Sequence, residues 1–203
     1  MRKFDSAKHE AKRLRILEVA AECFATKGFQ DTRTADICAA AGISAGSLFH
    51  YFPSKQSIFT AIFELDGLDA ADRLATALVA DDALAALLDF VEATAAQADY
   101  PHLGGLMLEV VANARRDEAF AGLLDRNDRQ MRDGIARLVA RGQEQGRIDP
   151  GLAPDAVADW IMVLLDGGFV RAAADTAFRP AGPNGLLRLI LTRFLGAMQE
   201  KRT

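Results

Sequence analysis

Residues 34–51 read TADICAAAGISAGSLFHY, and this stretch decides the fold. Its first eight residues follow a helical pattern, and Gly42 comes directly after them, where a helix commonly ends in the left-handed conformation. Ser44 can cap a second helix that begins at Ala45. Two short helices joined by a glycine turn are typical of the helix-turn-helix, whose second helix enters the major groove of DNA. The alternative is a corner between two helices with no role in DNA binding.

The composition of the second helix favours DNA binding. Ala45, Gly46 and Ser47 leave its first turn nearly bare, so the backbone can approach phosphates or base edges closely. Four large aromatic residues follow at 49–52, more than so short a helix can bury. We therefore expect some of the rings to face outward, where they can contact thymine methyl groups, sugars or phosphates.

The same spacing continues on both sides of this stretch. The pattern is Phe24-x3-Gly28-Phe29, then Thr32, Asp36-Ile37 and Ala41-Gly42-Ile43-Ser44-x-Gly46-x-Leu48-Phe49-x-Tyr51-Phe52-Pro53-Ser54-Lys55. Over roughly residues 13–63 it resembles the DNA-binding head of the tetracycline-repressor-type (TetR) regulators. Two residues depart from the family pattern: Phe49 stands where tyrosine is usual, and Arg33 stands where a small hydroxyl residue usually caps the second helix. Thr32 or Thr34 is then the expected cap.

The resemblance implies an all-α fold of about nine helices. A three-helix helix-turn-helix head, residues 1–54, would carry the DNA-binding surface, and a helical bundle, residues 55–203, would bind an effector and dimerise. The implied function is a homodimeric regulator that binds a pseudo-palindromic operator in double-stranded DNA, most simply a repressor released by a small, largely apolar effector. One alternative is a ligand-independent regulator or activator with a purely structural C-terminal domain. A more remote one is an α-helical enzyme or carrier that binds no DNA.

Residue by residue, the resemblance places eight positions at the DNA. Three of them, Ala45, Gly46 and Phe49, would face base edges. Phosphate contacts would come from Thr34, His50, Tyr51 and Lys55, and Ser44 completes the set. Lys55 also has a local argument, because a cation in the first turn of a helix is unfavourable for the helix dipole unless an anion lies beside it.

The resemblance places the effector pocket among the helices that follow the head. The candidate lining residues are Phe63, His102, Met107, Asn113 and Trp160. For Phe63 and Trp160 the alternative is a place in the ordinary core, and for His102 it is a cap or an exposed position. An apolar pocket with a few polar groups would favour a hydrophobic or aromatic ligand.

The last two predicted helices, residues 155–174 and 185–198, are apolar on nearly every side. A helix with this composition must be covered on two sides. One side can be the core of the same subunit. The simplest cover for the other side is the same pair of helices from a second subunit, which predicts a homodimer with a four-helix interface.

Charge and composition exclude several classes of protein. Residues 1–60 carry nine Lys/Arg and six Asp/Glu, a net charge of +3, although the whole chain carries −4. A basic head on an acidic body suits a protein that meets a polyanion at one end. No apolar run reaches the ~18 residues of a membrane span, and no catalytic, cofactor-binding or metal-binding motif stands out. We therefore expect a cytoplasmic protein that is not an enzyme, has no cofactor or metal, and keeps Cys23 and Cys38 as buried thiols.

Overall fold

The computed structural model describes residues 6–100, 103–175, 177–182 and 185–196. These residues form nine α-helices and no strand, which confirms the all-α prediction. The helices are α1 (Ser6–Lys27), α2 (Thr34–Ala41), α3 (Ala45–Tyr51), α4 (Lys55–Val79), α5 (Ala83–Ala95), α6 (Leu103–Ala114), α7 (Glu118–Glu144), α8 (Pro154–Ala174) and α9 (Leu186–Phe194). None of the described helices is both long enough and apolar enough to cross a membrane.

The helices begin and end where local chemistry predicts. The Asp82 carboxylate accepts a hydrogen bond from Ala85 N–H at 2.9 Å and so caps α5. Pro154 opens α8, at a position where the missing N–H has no helical partner to lose. The predicted bounds of α2, α3 and α8 are close to those observed, whereas the last helix, predicted for residues 185–198, ends at Phe194 and is followed by a turn at 195–196. Residues 197 and 198, which the sequence placed in the last helix, lie outside the described residues.

The chain divides into two compact units. The described part of the first comprises residues 6–66 and 105–123, and the second is built from residues 67–104 and the chain after 123. The first unit is larger than the predicted head, residues 1–54, because it also includes the start of α4, most of α6 and the first turn of α7.

Five phenylalanine rings form the centre of the first unit. Phe59 of α4 lies in the middle, with its ring centroid 5.0–5.4 Å from each of the other four, which are Phe24, Phe29, Phe63 and Phe120. All five side chains are buried. Edge-to-face and tilted ring pairs of this kind stabilise a core beyond the area they bury. This cluster joins α1, the loop after it, the start of α4 and the start of α7.

The second unit has a conventional aliphatic core. Leu87, Leu138, Ile161 and Leu191 are fully buried in it and come from α5, α7, α8 and α9. Two glycines bring α4 and α7 into close contact. A Cβ at Gly134 would lie 2.0 Å from the Leu74 side chain, and one at Gly67 would lie 2.5 Å from the Asn127 amide.

Candidate nucleic-acid interface

The turn between α2 and α3 has the predicted geometry. Gly42 takes a left-handed conformation with φ +64°, and the N–H of Ile43 donates back to Cys38 O at 3.0 Å. Ser44 caps α3, since its hydroxyl oxygen accepts from Ser47 N–H at 3.2 Å. These bonds satisfy groups that helix ends otherwise leave unpaired. The helix-turn-helix prediction is therefore confirmed in its geometry.

One side of α3 is open. Ser44, Ala45 and Gly46 are exposed, and a Cβ at Gly46 would meet nothing within 4 Å. The Phe49 ring is 49% exposed, and His50 is exposed as well. Leu48, in contrast, is fully buried and anchors the helix. The outward side therefore presents a nearly bare first turn followed by aromatic rings.

The start of α2 differs from the prediction, because neither threonine caps it. Arg33 occupies the cap position, and its backbone N–H donates to the Asp36 carboxylate at 2.8 Å. Thr32 is fully buried, and its hydroxyl donates to Gly28 O at 2.7 Å. Thr34, the first residue of α2, is half-buried. The sequence showed the departure at Arg33 but not that Asp36 compensates for it.

Asp36 also connects α2 to α1. Its second carboxylate oxygen accepts from Lys27 Nζ at 2.8 Å. The hydrogen bond from Lys27, and then that from the Arg33 backbone, hold the pKa of Asp36 below its ordinary value of 3.8. The same bond raises the pKa of Lys27. Both groups therefore remain ionised across the neutral range, and they fix the start of α2 against the end of α1.

Lys55 has a different role from the one its position suggested. Its ammonium donates to three backbone carbonyls of the α1–α2 loop, those of Phe29 (2.5 Å), Thr32 (2.8 Å) and Gln30 (3.1 Å). It also lies 4.5 Å from the centroid of the Phe29 ring. An ammonium has three donor hydrogens, so these bonds use them all. Carbonyl oxygens, rather than a phosphate, compensate the cation at the start of α4.

The first turns of α1 contain side chains that the sequence analysis did not assign to this site. The His9 ring lies against Tyr51, with centroids 4.5 Å apart, and against His50 at 5.9 Å. Lys12 Nζ lies 6.0 Å from the centroid of the Tyr51 ring. The sequence did contain one indication that His9 packs inward. Its helical spacing from Ile16 and Leu17 places it on the inward face of α1.

The candidate effector residues do not form one group. Phe63 belongs to the aromatic cluster of the first unit and is only 6% exposed, so it lies in the ordinary core. Asn113 is buried, and its amide donates to Glu109 O of its own helix at 2.9 Å. Met107 is half-buried on α6, and Trp160, in the second unit, is 60% exposed rather than enclosed. His102 lies outside the described residues.

Trp160 instead forms part of a continuous exposed face on α8. The exposed residues recur every three or four positions, and they are Ala156, Trp160, Val163, Gly167, Val170 and Ala174. On α9, Leu186, Ile190 and Phe194 are also exposed, by 36–61%. The opposite side of α8 is buried through Val157, Ala158, Ile161 and Leu165. Both sides of this helix are therefore apolar, as its composition predicted, and the described residues of the single chain leave one of them uncovered.

Two family models match the chain. The model for bacterial regulatory proteins of the tetR family matches residues 16–62, which include α2 and α3. The model for the C-terminal part of BetI-type transcriptional repressors matches residues 80–198. Together they cover both units.

Individual relatives match over most of their length. The transcriptional regulator UidR of Escherichia coli K12 is 25% identical over 187 residues, which cover 91% of this chain and 93% of UidR. The transcriptional repressor AcnR of Corynebacterium diphtheriae is 25% identical over 163 residues, covering 80% and 82%. A solved structure of a transcriptional regulator from Saccharomonospora viridis, in complex with choline, has 25% identity and a TM-score of 0.73, and the match covers 92% of this chain and 96% of that one.

Proposed function

Because the chain belongs to the TetR family of bacterial transcriptional regulators, we propose that it acts as a homodimer that binds a pseudo-palindromic operator through α3. The observation that carries the proposal is the open side of α3. Its first turn, Ser44 to Gly46, is exposed and free of bulky side chains, and the aromatic residues follow it. In a helix-turn-helix the N-terminal residues of the second helix contact base edges. Ala45, Gly46 and Phe49 would take that role here.

Phosphate contacts would come from residues around this turn. His50 is exposed and Tyr51 is half-buried beside it, and both follow the base-contacting positions on α3. Thr34 lies in the first turn of α2, where backbone N–H groups favour an anion. Lys55 would contact a phosphate only if that phosphate replaced one of the three loop carbonyls that its donors bind. Few long polar side chains face the bases, so DNA shape would contribute much of the sequence preference.

The second subunit would cover the exposed face of α8 and α9. Apolar or small residues at alternating spacings of four and three are the pattern that two packed helices need. The small residues of this face, Gly167 among them, allow close approach, because a Cβ at Gly167 would meet nothing within 4 Å in the single chain. An exposed stripe of this extent, with a tryptophan near one end, is typical of a surface that binds another protein. A two-fold axis would then relate two heads, as a pseudo-palindrome requires.

We place the effector in the second unit, where an open groove of about 500 Å³ lies at the surface along the contact between α4 and α7. This volume is within the range of small-molecule sites. Apolar and small residues come from α4 and polar ones from α7: Ala71, Leu74, Ala75 and Leu78 face Gln130, Asp133, Gly134 and Arg137. The regulator from S. viridis binds choline, and the groove suits a molecule with an apolar body and one polar group. A coupling of about 1–3 kcal/mol would weaken DNA binding roughly 5- to 150-fold.

Selection of duplexes from a random DNA pool tests the DNA-binding part of the proposal. The full chain should enrich a sequence with two related half-sites, separated by about one helical turn or a multiple of it. Sedimentation of the complex should give an even number of chains per duplex. Enrichment of no sequence at low salt would contradict the proposal. A thermal-shift screen, followed by release from the selected duplex, tests the effector, and a ligand that stabilises the protein without affecting DNA binding would argue against the coupling.

A further inference from the structure

The face of α1 that packs inside the first unit continues to the end of the recognition helix α3. Ile16 and Leu17 are buried on this face. One turn earlier, Arg13 lies 5.7 Å from the centroid of the Phe52 ring, and Lys12 lies 6.0 Å from that of Tyr51. Another turn earlier, the His9 ring meets Tyr51. Three side chains from two successive turns of α1 therefore lie beside Tyr51, the last residue of α3, and Phe52, its C-cap.

His9 restricts the Tyr51 ring. Their centroids are 4.5 Å apart with planes tilted by 32°, while His50 approaches Tyr51 edge-on at 5.5 Å. Tyr51 is half-buried, so its ring is held between groups of α1 and α3 while part of it faces solvent. A ring held in one orientation loses less conformational freedom when its hydroxyl meets a DNA phosphate. His9 itself is also half-buried, which suits a side chain that supports a neighbour.

Lys12 adds charge at the same place. It is exposed and lies over the Tyr51 ring within the range of a cation–π contact. The C-terminal end of a helix carries partial negative charge, so a cation beside the end of α3 is also favoured by the helix dipole. Arg13, by contrast, is paired with Glu10 at 3.2 Å. The end of α3 thus combines a held phenol with an exposed ammonium, a combination that binds phosphate.

We propose that His9 is a positioning residue that orients Tyr51 toward a DNA phosphate, and that Lys12 contacts the same phosphate. This inference rests on the proposed DNA-binding function, and it extends the DNA interface from the helix-turn-helix to the first turns of α1. It names a specific supporting contact, between one ring of α1 and one ring of α3, that operator affinity would depend on.

The His9 contact is tested by operator affinity, with the duplex that the wild-type chain selects from a random pool as the probe. His9→Ala should weaken binding roughly tenfold, since a ring pair is lost in each of two subunits. His9→Phe keeps a ring at this position and should bind within about twofold of the wild type. Wild-type affinity in His9→Ala, or equal losses in both variants, would overturn the positioning role.

A double-mutant cycle shows whether His9 acts through Tyr51. In a Tyr51→Phe background the ring remains but the phosphate-binding hydroxyl is gone, so His9→Ala should cause little further loss. If the fold losses in operator affinity of the two single variants multiply in the double variant, His9 acts independently of the Tyr51 hydroxyl. That result would overturn the proposal. Thermal melting of each variant checks that the helical fold persists.

Lys12 is tested against a matched cation on the same helix. Lys12→Gln should reduce the slope of log affinity against log salt by about 2 for a dimer, because each phosphate contact contributes about 0.9. Arg15 is exposed and paired with Glu18 at 2.7 Å, so Arg15→Gln removes the same charge and should leave the slope nearly unchanged. If Lys12→Gln has the same slope of log affinity against log salt as the wild type, Lys12 does not contact DNA. If the wild-type chain selects no duplex at all, the proposed DNA-binding function fails. If the wild type selects a duplex and the variants bind it with the same affinity and salt slope, only this inference fails.

Discussion

The exposed surfaces of α3 and α8 are held in place in different ways. Polar and ring contacts from other segments of the first unit fix α3 and its turn: Lys55 holds the loop before α2, Asp36 holds the start of α2, and His9 holds Tyr51. In the second unit, α8 lies on an aliphatic core through Val157, Ala158, Ile161 and Leu165. A single polar substitution can therefore disturb the helix-turn-helix, whereas the position of α8 depends on apolar packing beneath it.

The two surfaces also differ in how much apolar area they expose to water. The open side of α3 is small and mixed in character, and its large exposed apolar side chain is Phe49. The face of α8 and α9 is apolar, and its exposure in the single chain leaves hydrophobic surface in water. The first surface thus depends on groups around it, and the second depends on a partner that covers it.

A charge placed on the α8 face should have the largest effect. Val163 is 54% exposed on this face. Val163→Asp would bury two like-charged carboxylates at a two-fold interface, which should weaken dimerisation by about 2–5 kcal/mol. We expect monomers by sedimentation and loss of operator binding. Val79→Asp is the matched control, since Val79 is 80% exposed at the end of α4. A dimeric Val163→Asp protein would show that this face is not the interface.

A bulky side chain at the start of α3 should have the next largest effect. A Cβ at Gly46 would meet nothing within 4 Å among the described residues, and leucine favours a helix more than glycine does, so the fold should persist in Gly46→Leu. The same side chain would prevent the backbone from approaching base edges, and operator affinity should fall by about 2–4 kcal/mol, as for loss of several base contacts. Ala93→Leu, which enlarges an exposed position on α5, should bind DNA normally. Normal affinity in Gly46→Leu would place the DNA elsewhere.

Local patterns predicted the parts of the fold that local chemistry determines. The helical bounds, the Gly42 turn and the Ser44 cap follow from residues within four positions of one another, and so they could be predicted from the sequence. The composition of α8 also predicted its two apolar sides, because a helical pattern shows how much of the circumference must be covered.

Contacts between distant residues were the ones that the sequence did not predict. Lys55 binds carbonyls 23–26 residues earlier, and helix-dipole reasoning at α4 cannot include them. Similarly, Arg141 donates to Leu78 O and Ala80 O and so holds the α4–α5 turn from more than 60 residues away. His9 was not assigned to the interface, because its partners Tyr51 and His50 become neighbours only in the folded unit.

Substitution of Lys55 tests how strongly the α3 side depends on polar support. Lys55→Met should lower the free energy of unfolding by about 1–3 kcal/mol, because three carbonyls lose a charged donor. Lys55→Arg should also destabilise, since a planar guanidinium cannot replace a compact ammonium among three carbonyls. Urea unfolding measures both. The slope of log DNA affinity against log salt should be unchanged in Lys55→Met, and a slope reduced by about 2 for a dimer would instead support direct phosphate binding.

The smallest effect should come from the Lys27–Asp36 pair, which tests whether even an exposed contact supports α2. The fold lowers the pKa of Asp36 below 3.8, so its contribution to stability is present above that value and disappears as the pH falls through the lower pKa of the folded state. The fold raises the pKa of Lys27 above 10.5, so its contribution is lost only in strong alkali. Asp36→Asn should therefore be less stable than the wild type at neutral pH, and the difference should close as the pH falls through the lowered pKa of Asp36. A difference in unfolding free energy that persists into acid would mean that the charge on Asp36 does not hold α2, and that its shape alone does.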